Sequence, residues 1–257
     1  MIVAPHPDDE TIGAGIWMAR HRDIRITLLH ITDGSPRDPS DAFAAGFASS
    51  QAYADERRRE LDRALSLIRI GPKQLRRFSY LDKESHLHIP ELIARMVTLI
   101  EELQPTAVLS PAYEGGHPDH DTAAFAVAVA RRHITRSFCH LEYRLYHADP
   151  SGAMVTEKFL PQPMNPVEVY RLTKDEQKIK RRMLASFRTQ QHILKEFRVR
   201  NEHFRRAPFY DFARPPHQGM LMYEHWGWAI SGKEWRDYAA QAERMAGSHA
   251  ALRDGAV

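Results

Sequence analysis

The segment Ala4-Pro5-His6-Pro7-Asp8-Asp9-Glu10 packs one imidazole and three carboxylates into a few positions. It lies where a short apolar run, Met1 to Ala4, gives way to a helical pattern. Pro5 stops the strand, and Asp8 or Asp9 suits the cap of a helix running to about His21. Far along the chain the arrangement recurs. The apolar run Ala107 to Ser110 ends at Pro111, and His117-Pro118-Asp119-His120-Asp121 leads into an alanine-rich helical segment, Thr122 to His133. Two such strand-to-helix turns can meet at one edge of a parallel sheet, beyond the carboxyl ends of its strands, where ligands of α/β proteins bind.

The sequence around these turns alternates between the two periodicities. Ile24 to Thr32 is a β-branched run closed by Asp33-Gly34. Ser35 to Ser50, with Pro36, Pro39 and Gly46, reads as a long loop. A charged amphipathic helix fills Gln51 to Ile70 and ends at Gly71-Pro72. Leu75 to Tyr80 is a short strand, Pro90 opens a helix to Gln104, and Cys139 to Tyr146 is a further strand. The alternation predicts an α/β, Rossmann-like fold with a mostly parallel sheet and helices on both faces. After Asp149-Pro150 the character changes. Pro161, Pro163 and Pro166 interrupt the chain, and Thr173 to Arg206 reads as a basic helical stretch broken near Thr189. An apolar piece, Met220 to Trp228, follows, and then a last helix from about Ser231 to Met245. The expectation is one domain over residues 1–257: a Rossmann-like core, 1–149, and a C-terminal α/β extension, 150–257, that walls the same site.

Composition excludes several classes. A formal charge of +3 over 257 residues does not point to a nucleic-acid binder. No apolar run approaches a membrane span, and the expectation is that no signal peptide precedes the first strand. The single cysteine, Cys139, allows no internal disulfide and reads as a strand residue; a reducing cytoplasm is the default expectation.

The two turns together supply histidines and carboxylates for one metal ion, with a carboxylate and a histidine to spare. That is the equipment of a metal-dependent hydrolase. Catalytic zinc commonly takes three protein ligands and keeps a position open. Ferrous iron also suits two histidines and a carboxylate. Taken singly, an Asp-Asp pair at a helix start is often only a cap, and a His-Pro-Asp-His only a surface turn.

The paired turns Pro5-His6-Pro7-Asp8-Asp9-Glu10 and His117-Pro118-Asp119-His120 resemble those of the PIG-L/LmbE family, the N-acetylglucosaminylphosphatidylinositol and mycothiol-type deacetylases. Arg57-Arg58-Arg59-Glu60 and Tyr80-Leu81-Asp82 resemble two weaker features of that family. Ser186 to Gln190 and Tyr223 to Trp235 resemble a subset of its members. The resemblance implies a zinc-dependent hydrolase of a linear amide, acting on an N-acetylated amino sugar or glycoconjugate and releasing acetate. It implies His6, Asp9 and His120 as the metal ligands. Asp8 is then free to take a proton from the attacking water and later pass it to the leaving amine. His117, one helical turn before His120, would stabilise the oxyanion as a cation. Arg57 and Asp82 are expected to meet substrate hydroxyls.

Other residues have more ordinary readings. Glu10 supports the turn. Asp119 caps the helix that it opens and holds a ligand histidine. Asp121 complements the helix dipole, and His30 is a core histidine. The basic stretch is either a solvated helix pair or an attractant for an anionic substrate. Tyr223 to Trp228 is either core or a stacking platform for a sugar ring. Two rival functions stand beside deacetylation: an amidase on a larger N-acyl conjugate, and a sugar- or amide-binding protein without turnover. The resemblance also allows a homo-oligomer.

Overall fold

In a computed structural model, residues 1–254 are described, with side chains to residue 246. β1 (Ile2–Ala4) leads into α1 (Asp9–Arg20), which returns the chain to β2 (Leu28–Pro36). A short helix α2 (Ser40–Ala44) interrupts the expected loop. α3 (Ser50–Ser66) follows, N-capped by Ser49, whose side chain accepts from Ala52 N. Then come β3 (Leu75–Asp82), α4 (Ile89–Leu103), β4 (Ala107–Pro111), α5 (Pro118–His133) and β5 (Cys139–Tyr143). The remainder forms a small hairpin, β6 (His147–Ala148) and β7 (Met154–Val155), then β8 (Glu168–Arg171), α6 (Lys174–Leu184), α7 (Gln191–Leu194), β9 (Asn201–Arg206), α8 (Met222–His225) and α9 (Gly232–Asp254).

The main sheet has seven strands in the order β3-β2-β1-β4-β5-β9-β8. The first five are parallel. β9 and β8 extend the sheet antiparallel. Strand order reverses between β1 and β4, so a crevice opens there. Both sequence clusters sit at its rim, because one follows β1 and the other follows β4.

Buried strand residues alternate between two cores. Val3, Leu29 and Val108 pack with Leu92, Met96, Phe125 and Trp235 of α4, α5 and α9. Ile2, Leu28 and Leu109 pack with Met18, Leu61, Leu65 and Met183 of α1, α3 and α6. This period of two is what a strand covered on both faces requires.

Several expected boundaries move. β2 starts at Leu28 and runs through Asp33-Gly34, because its far end pairs with β3 across irregular register steps between Thr32 and Pro36. Gly34 takes a positive φ of 73° there, which glycine adopts at little cost. α5 begins at Pro118, so the second cluster lies in its first turn. β5 stops at Tyr143, and Cys139 at its start is half-buried. The largest correction concerns Asn201 to Arg206, expected as helix and found as strand β9. Glu202 and Phe204 turn one way and Arg205 the other, and pairing with β5 and β8 overrides the helical look of a charged segment. Among the described residues no helix is long and apolar enough to cross a membrane.

Candidate metal centre and active site

After β1 the chain turns at once. The amides of Asp8 and Asp9 donate to His6 O at 2.9 and 3.3 Å. Asp8 occupies the cap position of α1 without making a capping side-chain hydrogen bond, so its carboxylate stays free for other partners. In the second turn His117, not Asp119, caps the helix: its Nδ1 accepts from Asp119 N at 3.1 Å. Asp121 does more than complement a dipole. Its Oδ1 accepts from the amides of Gly115 and Glu114 at 3.0 and 3.3 Å and shapes the approach to His117.

The two turns bring three donor atoms into a near-equilateral triangle. His6 Nδ1 lies 3.0 Å from Asp9 Oδ2 and 3.3 Å from His120 Nε2. His120 Nε2 lies 3.4 Å from Asp9 Oδ2. Zinc bonds of about 2.0–2.1 Å in tetrahedral geometry space their ligand atoms by about 3.3–3.4 Å, so this set fits one small divalent ion. The other nitrogen of His6 faces the opposite way. Nε2 donates to Asp119 Oδ2 at 3.2 Å and stands 3.1 Å from Asp82 Oδ1. That contact leaves the Nδ1 lone pair directed at the triangle, as carboxylate–histidine pairs do at metal sites. A different grouping of buried donors, His6 with His117 and His120, is also compact enough for an ion. In that grouping His117 Nδ1 is already engaged by the Asp119 amide.

Asp119 is saturated. Besides His6 it accepts from Lys83 N at 2.7 Å, Ser85 N at 3.1 Å and Ser85 Oγ at 2.5 Å, tying the end of β3 to α5. Glu10 points away from the triangle, to Thr11 Oγ1 at 2.5 Å and His30 Nε2 at 3.1 Å, so the pair is buried beneath the turn. His30 is thus a core histidine, held by Glu10.

Charge points the same way as geometry. Asp8, Asp9, Asp82 and Asp119 are all buried, and among the described residues only Arg57 makes a permanent cationic contact with them, its Nη2 lying 3.0 Å from Asp8 Oδ2. Burial raises the pKa of Asp9, but His120 and His6 outweigh it and hold the carboxyl far below its usual range. Burial disfavours the cationic form of His6, yet Asp82, Asp9 and the hydrogen bond to Asp119 raise its pKa well above the ordinary value. Such a concentration of buried anions calls for a cation. Asp8 differs from its neighbours. Burial pushes its pKa up to about 7, against the pull of Arg57.

His117 is also different from expectation. Burial, then the His6 charge, bring its pKa down to about 4. With Nδ1 accepting a backbone N–H, the neutral ring carries its proton on Nε2, which stands 3.4 Å from Asp82 Oδ1. Burial and the neighbouring His6 thus oppose the imidazolium expected from the sequence. Arg57 is 3% exposed and reaches Gly34 O at 2.6 Å as well as Asp8. A Cβ on Gly34 would stand 2.6 Å from that guanidinium, so glycine gives Arg57 its place. Asp82 Oδ1 has no aligned hydrogen bond and faces both His6 and His117.

A cavity of about 990 Å³ opens over the cluster. His6, Asp8, Asp9, Asp82, His117 and His120 line it, and so does Arg57. Sequence reasoning missed Tyr146, whose ring lies 5.2 Å from that of His120, and Lys83, whose ammonium lies 4.7 Å over the Trp228 ring. No local motif marks either. The aromatic stretch divides: Tyr223 is core, whereas Trp226 and Trp228 line the cavity, Trp228 with its ring 4.6 Å from His117. Thr189 and Gln190 also line it, anchored to Glu60 and Tyr53 of α3.

A family model described as GlcNAc-PI de-N-acetylase matches residues 1–131, half of the chain and both turns. The chain belongs to the PIG-L family. A probable N-acetyl-α-D-glucosaminyl L-malate deacetylase 2 of Bacillus subtilis (strain 168) is 32% identical over 133 residues, 49% of this chain and 58% of that protein. Diacetylchitobiose deacetylase of Thermococcus kodakarensis is 32% identical over 131 residues, 49% of this chain and 46% of that protein. The alignments thus span roughly half the length of these PIG-L relatives. The zinc-inhibited form of teicoplanin deacetylase Orf2 superposes with a TM-score of 0.64 at 17% identity, covering 82% of this chain and 98% of that one. That similarity establishes a shared fold.

Proposed function

We propose that this PIG-L protein is a metal-dependent N-deacetylase that hydrolyses the acetamide of an N-acetylated amino sugar. The observation that carries the reading is the donor triangle of His6, Asp9 and His120, set beside a free carboxylate whose pKa lies near neutrality. Relatives named as deacetylases of acetylated glucosamine compounds support the choice of substrate.

His6, Asp9 and His120 would hold the ion; zinc is our choice, with ferrous iron the alternative. When bound, such an ion polarises the amide carbonyl and lowers the pKa of water. Asp8 takes the proton of the attacking water, and its pKa near 7 lets it do so at neutral pH. Arg57 holds one oxygen of Asp8 and leaves the other for this transfer. Asp8 then returns the proton to the nitrogen as the C–N bond breaks, releasing acetate and a free amine. His117 Nε2–H is available to donate to the carbonyl oxygen as negative charge develops there. Asp82 Oδ1 is buried against His6 Nε2 and His117 Nε2 and orients both rings; its other oxygen is the one left for a substrate hydroxyl.

The cavity volume favours a substrate larger than a single N-acetylhexosamine, since about 990 Å³ lies at the upper end of ordinary ligand sites. Trp226 and Trp228 supply aromatic faces for a ring on the remainder of such a conjugate. The deciding experiment loads the protein with one equivalent of Zn²⁺ or Fe²⁺, and separately with excess. It then assays free amine and acetate across N-acetylated amino sugars and their conjugates. Acetate release supports the proposal. A different acyl product assigns the amidase reading, and saturable binding without product assigns the binding protein.

A further inference from the structure

α1 is not one continuous helix. Its backbone breaks at Ala14 (φ −142°, ψ 15°), five residues after the proposed ligand Asp9. An unbroken helix would pair Ile16 N with Ile12 O. Here each of those groups has a charged partner from the C-terminal part of the chain. Ile16 N donates to Glu202 Oε1 at 2.7 Å, and Trp17 N donates to Glu202 Oε2 at 2.7 Å. Ile12 O accepts from Lys180 Nζ at 2.8 Å. Lys180 and Glu202 are hydrogen-bonded to each other, and both are buried. A carboxylate caps the amide end of the second helical segment, and an ammonium caps the carbonyl end of the first. Each sign matches the local dipole.

The first segment, Asp9 to Gly13, is held on its other side by Tyr143. A Cβ on Gly13 would lie 2.0 Å from the Tyr143 ring, so only glycine permits this approach. The Tyr143 hydroxyl donates to Val3 O at 2.9 Å, in the strand that delivers His6. One short helical segment, carrying Asp9 at its first position, is therefore fixed between a tyrosine on β5 and an ion pair from α6 and β9. Lys180 and Glu202 lie outside the region matched by the family model.

We propose that the Lys180–Glu202 pair is a positioning device. By occupying the break in α1 it sets the angle at which the first segment presents Asp8 and Asp9 beside His6. The inference rests on the metal-site reading above. The pair makes no hydrogen bond to the triangle and meets the cavity lining through Ile12 O, so its influence passes through the helix.

The test uses the double variant Lys180→Met/Glu202→Leu, which fills the same space with apolar groups. Such exchanges of buried pairs are often neutral or stabilising. We expect it to melt, in chelator, at or above the temperature of the parent. Freed of the pair, Ile16 N and Ile12 O can bond to each other and straighten the helix. Zn²⁺ affinity, measured by competition with a chelating dye, should then fall by about ten- to a hundredfold, the range seen when supports of metal ligands are removed. In the loaded enzyme kcat should fall while KM stays near the parental value. A stable double variant with parental Zn²⁺ affinity overturns the proposal. If the double variant melts far below the parent, Glu202→Gln, which keeps the side-chain length, decides the matter in the same assay at a temperature where it is folded. A parent chain that takes up no Zn²⁺ overturns the metal reading itself, and this inference with it.

Discussion

Asp8 and Asp9 are chemically identical neighbours with opposite fates. Asp9 faces two histidines and is held ionised, whereas Asp8 is lifted to about 7 by burial despite Arg57. Asp8→Asn should keep metal content near parental and lower turnover by about two to four orders of magnitude, the scale of a lost general base; metal analysis beside initial rates checks it. Because the base must be ionised, parental kcat/KM should fall as pH drops through the Asp8 pKa. A cation bound nearby lowers that pKa, so the acidic limb belongs at or below about 7. His120→Ala removes one corner of the triangle. It should bind Zn²⁺ far more weakly than the parent in equilibrium with a chelator, and parental retention would refute the ligand assignment. His117→Ala should retain the ion and lose roughly a hundredfold in kcat, by analogy with a missing oxyanion donor. Burial and His6 bring the His117 pKa down to about 4, so the expectation is that any alkaline limb of the parent belongs to another group. The variant should therefore keep that limb, and its disappearance would restore the cationic role. The grouping of these side chains was legible in part from sequence, because His6, Asp8 and Asp9 share one turn. The lowered pKa of His117 was not legible, because it follows from burial and from the His6 ring that the fold brings beside it.

At the scale of elements, the helix and strand periods located nearly every unit of residues 1–149, since the central strands β1, β2 and β4 are buried on both faces and α3 and α4 each bury one apolar side. The pattern failed at β9. Its buried charges, Glu202 and Arg205, carry no hydrophobic alternation, and their partners lie far away in sequence. It failed also at the break in α1, which a Gly13-Ala14-Gly15 run permits but does not demand. Gly13→Ala tests that element directly. A methyl group driven into the Tyr143 ring should destabilise the chain by about 1–3 kcal/mol, the usual cost of overpacking. Urea unfolding of the metal-free protein measures it, and an unchanged midpoint would show that the contact is soft.

The whole molecule is joined across β5 and β9, and the joint is charged. Glu142 and Glu114 share Arg205: its Nε lies 2.9 Å from Glu142 Oε2, and its Nη2 lies 3.9 Å from Glu114 Oε1. Tyr210 also contacts Glu142 Oε2, at 3.0 Å. Burial lifts Glu142 to about 8 and Glu114 to about 7, in both cases against the pull of Arg205. A carboxyl whose folded pKa exceeds its unfolded value of 4.5 binds more protons folded than unfolded between the two. Its contribution is full below 4.5 and is lost as pH rises toward 8. The metal-free protein should therefore lose melting temperature as pH climbs through that window, and Glu142→Gln should lose less. Parallel slopes for parent and variant would remove Glu142 from the account.

The sequence by itself determined the α/β class, the two strand-to-helix turns, and the identity of the residues that meet between them. Those features are written in local periodicity and in residue types that only a few chemistries use together. Tertiary structure alone decided which nitrogen of His6 faces Asp9, that Arg57 holds Asp8, that His117 is a neutral cap, and that α6 and β9 reach back into the first helix. Apart from the local His6–Asp9 and His117–Asp119 pairs, whose rings are turned by Asp82 from across the sheet, each of these is a contact between segments far apart in the chain. Its strength depends on burial, distance and orientation, none of which exists until the sheet has closed.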